Sequence, residues 1–405
     1  MEKKLFEEAL GVQKPLEIEY VEFDKGKGEL HIYIIFARGS KFSCSSCSEE
    51  GLSVYDTKER TWRHLNFFQY KCYIHMAVPR LECPKCGIKT WEVPWSRPQS
   101  GFTLLFEMMV MIMVRDIAVS ILADQLKEND TRLWRIVKHY TQEAYAKKIY
   151  DDVTRVGVDE TSSRKRHNYV TIFANLDNKE VIYATEGKDS KTFKRFIEEF
   201  GKHEARKEQI QEITMDMSPA FIAGANEHLP QANVTYDKFH VIQLINKAVD
   251  EVRRREARDN PLLKRTRYIW LKNPGNLTTK QEKTLDSLKN LNIKTAKSYQ
   301  MKLTFQNIYA SCGGIEEARK EIRKWLNWAD RSRIEEMRAV SRTIKQHLEG
   351  IIRYFKSRLT TGAMEGINSR VQEIKRRAKG FRNIDNFIIM IYLEAAGLVI
   401  LTHTK

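Results

Sequence analysis

Two aspartates stand directly after short apolar runs that are typical of β-strands. Asp159 follows Arg155–Val158, and Asp216 follows Gln211–Met215. If these strands are parallel neighbours, the two carboxylates emerge side by side at the sheet edge where open α/β sheets bind ligands. Adjacent carboxylates repel each other unless a cation neutralises them, and oxygen-only ligation favours Mg²⁺ or Mn²⁺. The alternative is that each aspartate only forms a turn or caps a helix.

A third acid, Glu365, lies in a strongly basic segment, residues 356–382. Glu373 is the only other acid in this segment, which carries eight lysines and arginines: Lys356, Arg358, Arg370, Lys375, Arg376, Arg377, Lys379 and Arg382. A lone carboxylate among so many cations fits a metal ligand that faces a phosphate backbone. The side chains expected to bind that backbone are Arg370, Lys375, Arg376 and Arg377. The alternative is a solvated helix with ordinary intrahelical ion pairs.

Four of the six cysteines form two Cys-x-x-Cys pairs, and Gly87 follows the second pair. The pairs are Cys44–Cys47 and Cys83–Cys86. Two such pairs complete a tetrahedral Zn²⁺ shell, which leaves no open position for a substrate and is therefore structural. The 35 intervening residues exceed the usual spacing, so we expect further structure between the pairs. The alternative is that the cysteines are buried or redox-active.

Residues 117–145 have the pattern of a helix-turn-helix. An apolar face ends at Leu126, a polar turn covers 127–130, and a second helix follows, which Asp130 can cap. This second helix would present four basic side chains to a DNA major groove: Arg132, Arg135, Lys138 and His139. An ordinary helical hairpin with a solvated face would give a similar pattern.

Between residues 155 and 258 the apolar runs predict a mixed sheet with helices on its faces. Strands are expected at 155–158, 168–176, 180–186, 211–215 and 233–236, and the intervening helical segments give the order βββαβαβα. Residues 260–355 are charged and helical. Because successive strand residues point to opposite faces, Glu160 should face away from Asp159.

The composition limits the class of protein. Lysine and arginine number 69 against 53 aspartates and glutamates in 405 residues, which gives a formal net charge of +16. Such an excess indicates a polyanionic partner, either nucleic acid or an anionic membrane surface. The longest apolar runs are shorter than the roughly 20 residues that a membrane span needs. The N-terminus lacks the apolar core of a signal peptide, so we expect a soluble, intracellular protein.

Taken in order along the chain, these features resemble the DDE transposases of bacterial insertion sequences, and more narrowly the ISL3 (IS-L-three) family. The resemblance covers essentially the whole chain. Besides the cysteine pairs, it rests on the sequences Val156-Gly-Val-Asp-Glu160, Met215-Asp-Met-Ser218, Leu229-Pro-Gln-Ala232, Tyr236-Asp-Lys-Phe-His-Val241, Met364-Glu-Gly-Ile-Asn368 and Lys375-Arg-Arg-Ala-Lys-Gly-Phe-Arg-Asn383.

The resemblance implies a ribonuclease-H-like catalytic core that cleaves and transfers DNA strands with two Mg²⁺ (or Mn²⁺) ions. Asp159 and Asp216 would bind both ions, and Glu365 would complete the site from a helix. One ion would activate water or a 3′-hydroxyl and the other would stabilise the leaving 3′-oxygen. His240, in an Asp-x-x-His motif, is expected near the site, where it contacts DNA or supports the carboxylates.

The resemblance also implies a domain organisation and partners. The expected segments are a β and zinc-binding module (1–98), a helix-turn-helix (99–150), the first part of the core (151–258), an all-α insertion (259–357) and the C-terminal core helices with the third acid (358–405). The expected partner is double-stranded DNA, at the element's ends and at the target, bound by a homodimer or higher assembly. We expect no membrane partner, and a cytoplasmic, nucleoid-associated location in a bacterium.

Three tryptophans of the insertion leave two interpretations open. Trp270, Trp325 and Trp328 could stack on flipped bases or could be core residues of the insertion, and core residues are favoured.

Two other functions remain compatible with parts of this pattern. One is a non-catalytic DNA-binding regulator derived from a transposase, which would not need the three acids that the sequence contains. The other is a different ribonuclease-H-like nuclease, for which a zinc module followed by a helix-turn-helix is not expected.

Overall fold

The computed structural model describes residues 2–162, 169–291, 293–357 and 362–400. These residues form two compact units. The first consists of the chain up to Tyr140 together with Ile400, and the second of Thr141–Val399. Among the described residues, no helix is both long and apolar enough to span a bilayer.

The first unit is built on a sheet in the order β1-β2-β4-β3, with β5 paired to β4. A helix, α1 (Glu2–Leu10), precedes the strands, which are β1 (Leu16–Asp24), β2 (Glu29–Phe36), β3 (Val54–Phe67), β4 (Tyr70–Cys83) and β5 (Gly87–Thr90). Alternate residues of β2 and β4 are buried, such as Leu30, Ile32 and Ile74. This period of two places one face of the sheet on a core.

Alternating apolar residues predict two short strands at 17–23 and 29–36, which β1 and β2 confirm. The residues that follow, up to about 98, are rich in Trp, Gly and Pro and predict a cysteine-bearing loop region. That prediction is wrong, because β3 and β4 form a long hairpin there. The hairpin is difficult to detect because the first half of β3 contains the polar run Asp-Thr-Lys-Glu-Arg (56–60), which hides the alternation of apolar and polar residues. Antiparallel pairing with β4 supplies the backbone hydrogen bonds of this polar strand.

Three helices complete the first unit, and the last two have the spacing predicted for a helix-turn-helix. They are α2 (Leu104–Met113), α3 (Val119–Leu126) and α4 (Asp130–Ala146). The prediction that Asp130 caps α4 is wrong, because Asp130 is already its first residue. Asn129 is the cap: its Oδ1 accepts the backbone N–H of Thr131 at 2.8 Å.

The second unit contains a mixed sheet in the order β10-β9-β6-β7-β8. Its strands are β6 (Arg155–Ser162), β7 (Tyr169–Asn175), β8 (Glu180–Glu186), β9 (Glu212–Met215) and β10 (Asn233–Tyr236). β6, β9 and β10 are parallel, and β7 and β8 are antiparallel to their neighbours. With α5 (Lys191–Phe200), α6 (Pro219–His228) and α7 (Lys238–Glu256), the predicted order βββαβαβα is confirmed, as is the α/β multidomain class.

A helical insertion separates α7 from the last two helices of the chain. It comprises α8 (Arg267–Leu271), α9 (Thr279–Lys289), α10 (Lys294–Ser311), α11 (Ile315–Arg331), α12 (Glu335–Gln346) and α13 (Leu348–Ser357), and it is followed by α14 (Gly362–Arg377) and α15 (Ile384–Ala395). Trp270 and Trp325 are fully buried, and their indole N–H groups donate to Thr266 and to the carbonyl of Met301. Trp328 is half-buried against the same core. Of the two interpretations, the core role is therefore confirmed for Trp270 and Trp325.

Candidate active site and DNA-binding surfaces

The sheet of the second unit brings Asp159 and Asp216 to the same edge. β6 and β9 run parallel with Gly157 opposite Thr214, and each aspartate lies two residues beyond its member of this pair. A step of two residues returns a side chain to the same face of a strand. Neighbouring strands are about 4.8 Å apart, so the register places the two aspartates on adjacent strands at the same end of the sheet.

Three hydrogen bonds orient these two carboxylates. Asp216 Oδ1 accepts the backbone N–H of Ser218 at 2.9 Å, and Asp159 Oδ1 accepts that of Glu160 at 2.7 Å. The other oxygen of Asp159 accepts from the side-chain amide of Asn368, which lies on α14. The amide thus ties the first aspartate to the helix that carries Glu365.

A glycine allows α14 to approach β6 closely. A Cβ at Gly157 would lie 2.5 Å from Sδ of Met364, a buried residue of α14. Any larger residue at this position would therefore displace the helix or the methionine. Glu365 follows Met364 directly and precedes Asn368 by three residues, a spacing that places the two on the same side of the helix. This contact packs the N-terminal part of α14 against β6, the strand that carries Asp159.

A further carboxylate, that of Asp237, joins this edge from β10. Tyr236 pairs with Met215, and the N–H of Asp237 donates to the carbonyl of Met215 at 3.0 Å. Burial raises the pKa of Asp237 to about 6, and the neighbouring charges of Asp159 and Glu365 act in the same direction. Asp237 therefore lies within electrostatic range of both.

His240 lies beside Asp237 on the first turn of α7. Its Nε2 is 3.8 Å from Oδ2 of Asp237, and Oδ1 of the same aspartate caps the helix by accepting the N–H of Phe239 at 2.7 Å. The imidazole is half-buried.

Two residues near the acids were not identified as neighbours from the sequence. Burial raises the pKa of Glu160, Lys188 opposes this shift, and the charges of Asp216 and Asp159 add to it. Glu160 thus lies within electrostatic range of Asp159 and Asp216. That it faces the opposite side of β6 from Asp159 stays a prediction. Asn368 was noted only as part of a motif; its position three residues after Glu365 was the signal that could have identified it.

The four paired cysteines of the first unit meet in one cluster. The sulfurs of Cys44, Cys47, Cys83 and Cys86 all lie within 4.8 Å of one another, and those of Cys47 and Cys83 are 3.6 Å apart. Gly87 turns the chain after the second pair with φ +70°. The intervening residues form the β3–β4 hairpin, so the predicted insertion between the pairs is confirmed. Four sulfur donors at these distances fit a structural Zn²⁺.

The basic residues of α4 differ in their surroundings. Arg135 is exposed, whereas Lys138 and His139 are half-buried. Arg132 lies 2.6 Å from Glu128, and its guanidinium stacks 4.2 Å from the ring centroid of Phe102. Its side chain is 42% exposed, so part of the guanidinium is held by the protein itself.

The basic residues of α14 also differ in their surroundings: some contact other parts of the protein and one is exposed. Arg370 donates to the carbonyl of Lys179 at 2.7 Å, and Arg377 pairs with Glu394. Lys375 is half-buried, and burial lowers its pKa. Arg376 is exposed.

Carboxylates gathered on a ribonuclease-H-like sheet, a four-cysteine cluster and a helix-turn-helix together define a DNA transposase. Family comparisons agree with this class. Residues 156–391 match a family model described as a transposase, which covers more than half of the chain. Residues 92–141 match the helix-turn-helix domain of transposase family ISL3, and residues 40–86 match the zinc-finger of the transposases of IS204, IS1001, IS1096 and IS1165. The chain belongs to the ISL3 family of DDE transposases, as the sequence predicted.

Curated relatives span nearly the same length. The chain is 27% identical over 433 residues to the transposase for insertion sequence element IS1557 of Mycobacterium tuberculosis, with 97% of this chain and 96% of the relative covered. It is 25% identical over 406 residues to the transposase for insertion sequence element IS1001 of Bordetella parapertussis, with 98% and 99% covered. The chain is thus a DNA-binding protein of a family whose members cut and transfer DNA.

Proposed function

We propose that the chain is the transposase of an insertion sequence and that it cleaves and joins DNA strands with Asp159, Asp216 and Glu365 as ligands of Mg²⁺ or Mn²⁺. The observation that carries this proposal is the parallel register of β6 and β9, which aligns the two aspartates. The close contact of α14 with Gly157 adds the glutamate. Oxygen donors of this kind suit these hard cations.

The residues around the acids hold the DNA strand and the carboxylates in position. Bound ions of this kind supply an activated oxygen nucleophile and stabilise the leaving 3′-oxygen. Asp159 accepts hydrogen bonds at both oxygens, from Asn368 and from the N–H of Glu160, and Asp216 accepts one from the N–H of Ser218. Each carboxylate oxygen keeps a further lone pair with which it can bind a cation. His240 lies beside Asp237, where it can donate to a phosphate oxygen of the strand.

DNA recognition is assigned to the modules outside the acid cluster. We propose that α4 enters the major groove with Arg135 and Lys138 at its surface, and that Arg132 contributes the part of its guanidinium that remains exposed. Arg376 and its neighbours Arg370, Lys375 and Arg377 bind the phosphate backbone beside the acid cluster.

We further propose that the five segments predicted from the sequence are the functional modules of the chain. We also propose that the chain acts on the ends of the element and on the target DNA as a dimer or higher assembly.

The proposal is tested by strand cleavage on DNA that carries the ends of the host element. We expect Asp216→Asn to lower the cleavage rate at least 1000-fold, roughly the effect of losing a metal-held nucleophile, without changing DNA affinity. Asp152→Asn is the matched control, because Asp152 is exposed and lies just before β6. Wild-type cleavage by Asp216→Asn, or cleavage that persists in a chelator, would remove the metal mechanism.

A further inference from the structure

The loop that leads from α7 into the helical insertion exposes an unusual set of side chains. In residues 258–268, here called the basic loop, the outward side chains are Arg258, Leu262, Lys264, Arg265, Arg267 and Tyr268. Leu262 and Tyr268 are 63% and 62% exposed. Asp259 is the one acid of the loop. Large apolar groups with such exposure, flanked by cations, indicate an interaction surface.

The inward side of the basic loop is tightly fixed. Leu263 is fully buried, and the hydroxyl of Thr266 donates to its carbonyl at 2.7 Å. The indole of Trp270 donates to the same hydroxyl at 3.0 Å. The fully buried ammonium of Lys302 donates to three successive carbonyls at the end of α8, those of Trp270, Leu271 and Lys272, at 2.7–3.1 Å. These contacts hold the outward side chains in one arrangement.

The cations of the basic loop are only partly neutralised. Nε of Arg267 lies 3.4 Å from the carboxylate of Asp250, a buried residue that also pairs with Arg253 at 2.8 Å. Among the ion pairs of the described residues, neither Lys264 nor Arg265 has an acidic partner. Arg265 adopts φ +61°, the left-handed region, which costs conformational energy and fixes where its side chain begins.

An aromatic ring completes this surface. The guanidinium of Arg267 lies 5.7 Å from the ring centroid of Tyr268, so a cation lines one side of the exposed ring. Proteins that bind single-stranded nucleic acid use this combination of groups. The cations bind the phosphates, and the aromatic rings stack on bases of any sequence.

We propose that the basic loop binds a DNA strand, with phosphates on Lys264 and Arg265 and an unpaired base stacked on Tyr268. The proposal rests on the chain acting on DNA but not on the carboxylate chemistry. It assigns the helical insertion a DNA-binding role that neither α4 nor α14 supplies.

The test measures DNA affinity of the full chain in a chelator, by fluorescence anisotropy with labelled poly(dT) and with a duplex of arbitrary sequence. For the double variant Lys264→Ala/Arg265→Ala we expect the slope of log affinity against log salt to fall by about two, roughly one per lost phosphate contact. The matched control is Lys280→Ala/Lys283→Ala, which removes two exposed lysines of α9 in the same insertion. It should retain the wild-type slope.

Tyr268 is tested separately. Tyr268→Ala should weaken poly(dT) binding about tenfold with no change of slope, whereas Tyr268→Phe keeps the ring and should bind as wild type. The proposal is overturned if both Tyr268→Ala and the double variant bind DNA normally, or if the α9 control loses as much slope. It is also overturned if the double variant loses only binding to phosphatidylserine vesicles, which would assign the surface to a membrane. Because affinity is measured in a chelator and without cleavage, a failed cleavage mechanism leaves this result unchanged, and a failed loop proposal leaves the cleavage result unchanged.

Discussion

At the scale of single residues, Gly157 shows how a backbone position can control a distant acid. Its missing side chain leaves the space that Met364 fills, and Glu365 follows in the chain. In the sequence, Gly157 appears only as part of a motif. The structure shows why a glycine is needed there: α14 packs so closely against β6 that a larger side chain would collide with Met364.

Gly157→Val is therefore expected to displace Glu365 without touching it. A misplacement of about 1 Å can cost on the order of 100-fold in rate, so strand cleavage should fall by about that factor while DNA affinity is unchanged. Gly275→Ala is the control, because a Cβ there meets nothing within 4 Å. Cleavage of Gly157→Val at the wild-type rate would mean that α14 does not depend on this contact.

Asp237 gives a prediction for the pH dependence of stability. Burial raises its pKa from 3.8 to about 6. Because the folded state binds this proton more tightly than the unfolded state, the contribution to stability is greatest below about pH 4 and is lost as pH rises to 6. In a chelator, Asp237→Asn should raise the free energy of unfolding by about 2 kcal/mol at pH 7.5 and by much less at pH 4. Denaturant titrations at the two pH values check this, and an equal gain at both would rule out the carboxylate as its cause.

The acids and cysteines were predictable because their chemistry and spacing identify them directly. The hydrogen bond from Asn368 to Asp159 was not predictable, because it depends on how α14 is placed against β6. The same holds for Arg132. Its residue type predicted DNA contact, but its partial engagement by Glu128 and Phe102 depends on tertiary structure.

At the scale of elements, the cysteine cluster holds together the two ends of a long hairpin. Cys44 precedes β3, and Cys83 is the last residue of β4. Cys83→Ser leaves three sulfurs and should lower the zinc content, measured by mass spectrometry, and DNA affinity by at least tenfold. Ser45→Ala, in the same turn, should change neither. Full zinc content in Cys83→Ser would show that the cluster does not bind the metal through this sulfur.

The elements of the second unit were predicted better than those of the first. β9 is a short apolar run that Asp216 follows directly, and β6 begins with a run of the same kind. The prediction that β6 ends before Asp159 is wrong, because the strand continues to Ser162. The β3 strand instead contains many polar residues, so its sequence does not show a clear apolar alternation. It is recognised as a strand only through its pairing with β4. Caps were also uncertain by one residue, since Asn129 and Asp130 are both good capping residues.

At the scale of the whole molecule, the second unit must return the chain to the acid cluster after a long insertion. There are 148 residues between Asp216 and Glu365. Helix α13 makes this return by packing directly on β10: a Cβ at Gly350 would lie 2.5 Å from the ring of Tyr236. The charged, helical pattern of residues 260–355 and the family resemblance predicted the insertion, but neither showed that α13 packs on β10.

The convergence of three carboxylates on shared metal ions is tested most directly by Mn²⁺ titration of the DNA-bound protein, followed by electron paramagnetic resonance. Asp159→Asn, Asp216→Asn and Glu365→Gln should each weaken Mn²⁺ binding at least tenfold, because each removes a charged ligand from one site. Asp152→Asn should bind Mn²⁺ as wild type. Unchanged Mn²⁺ affinity in any of the three variants would contradict a site shared by all three acids.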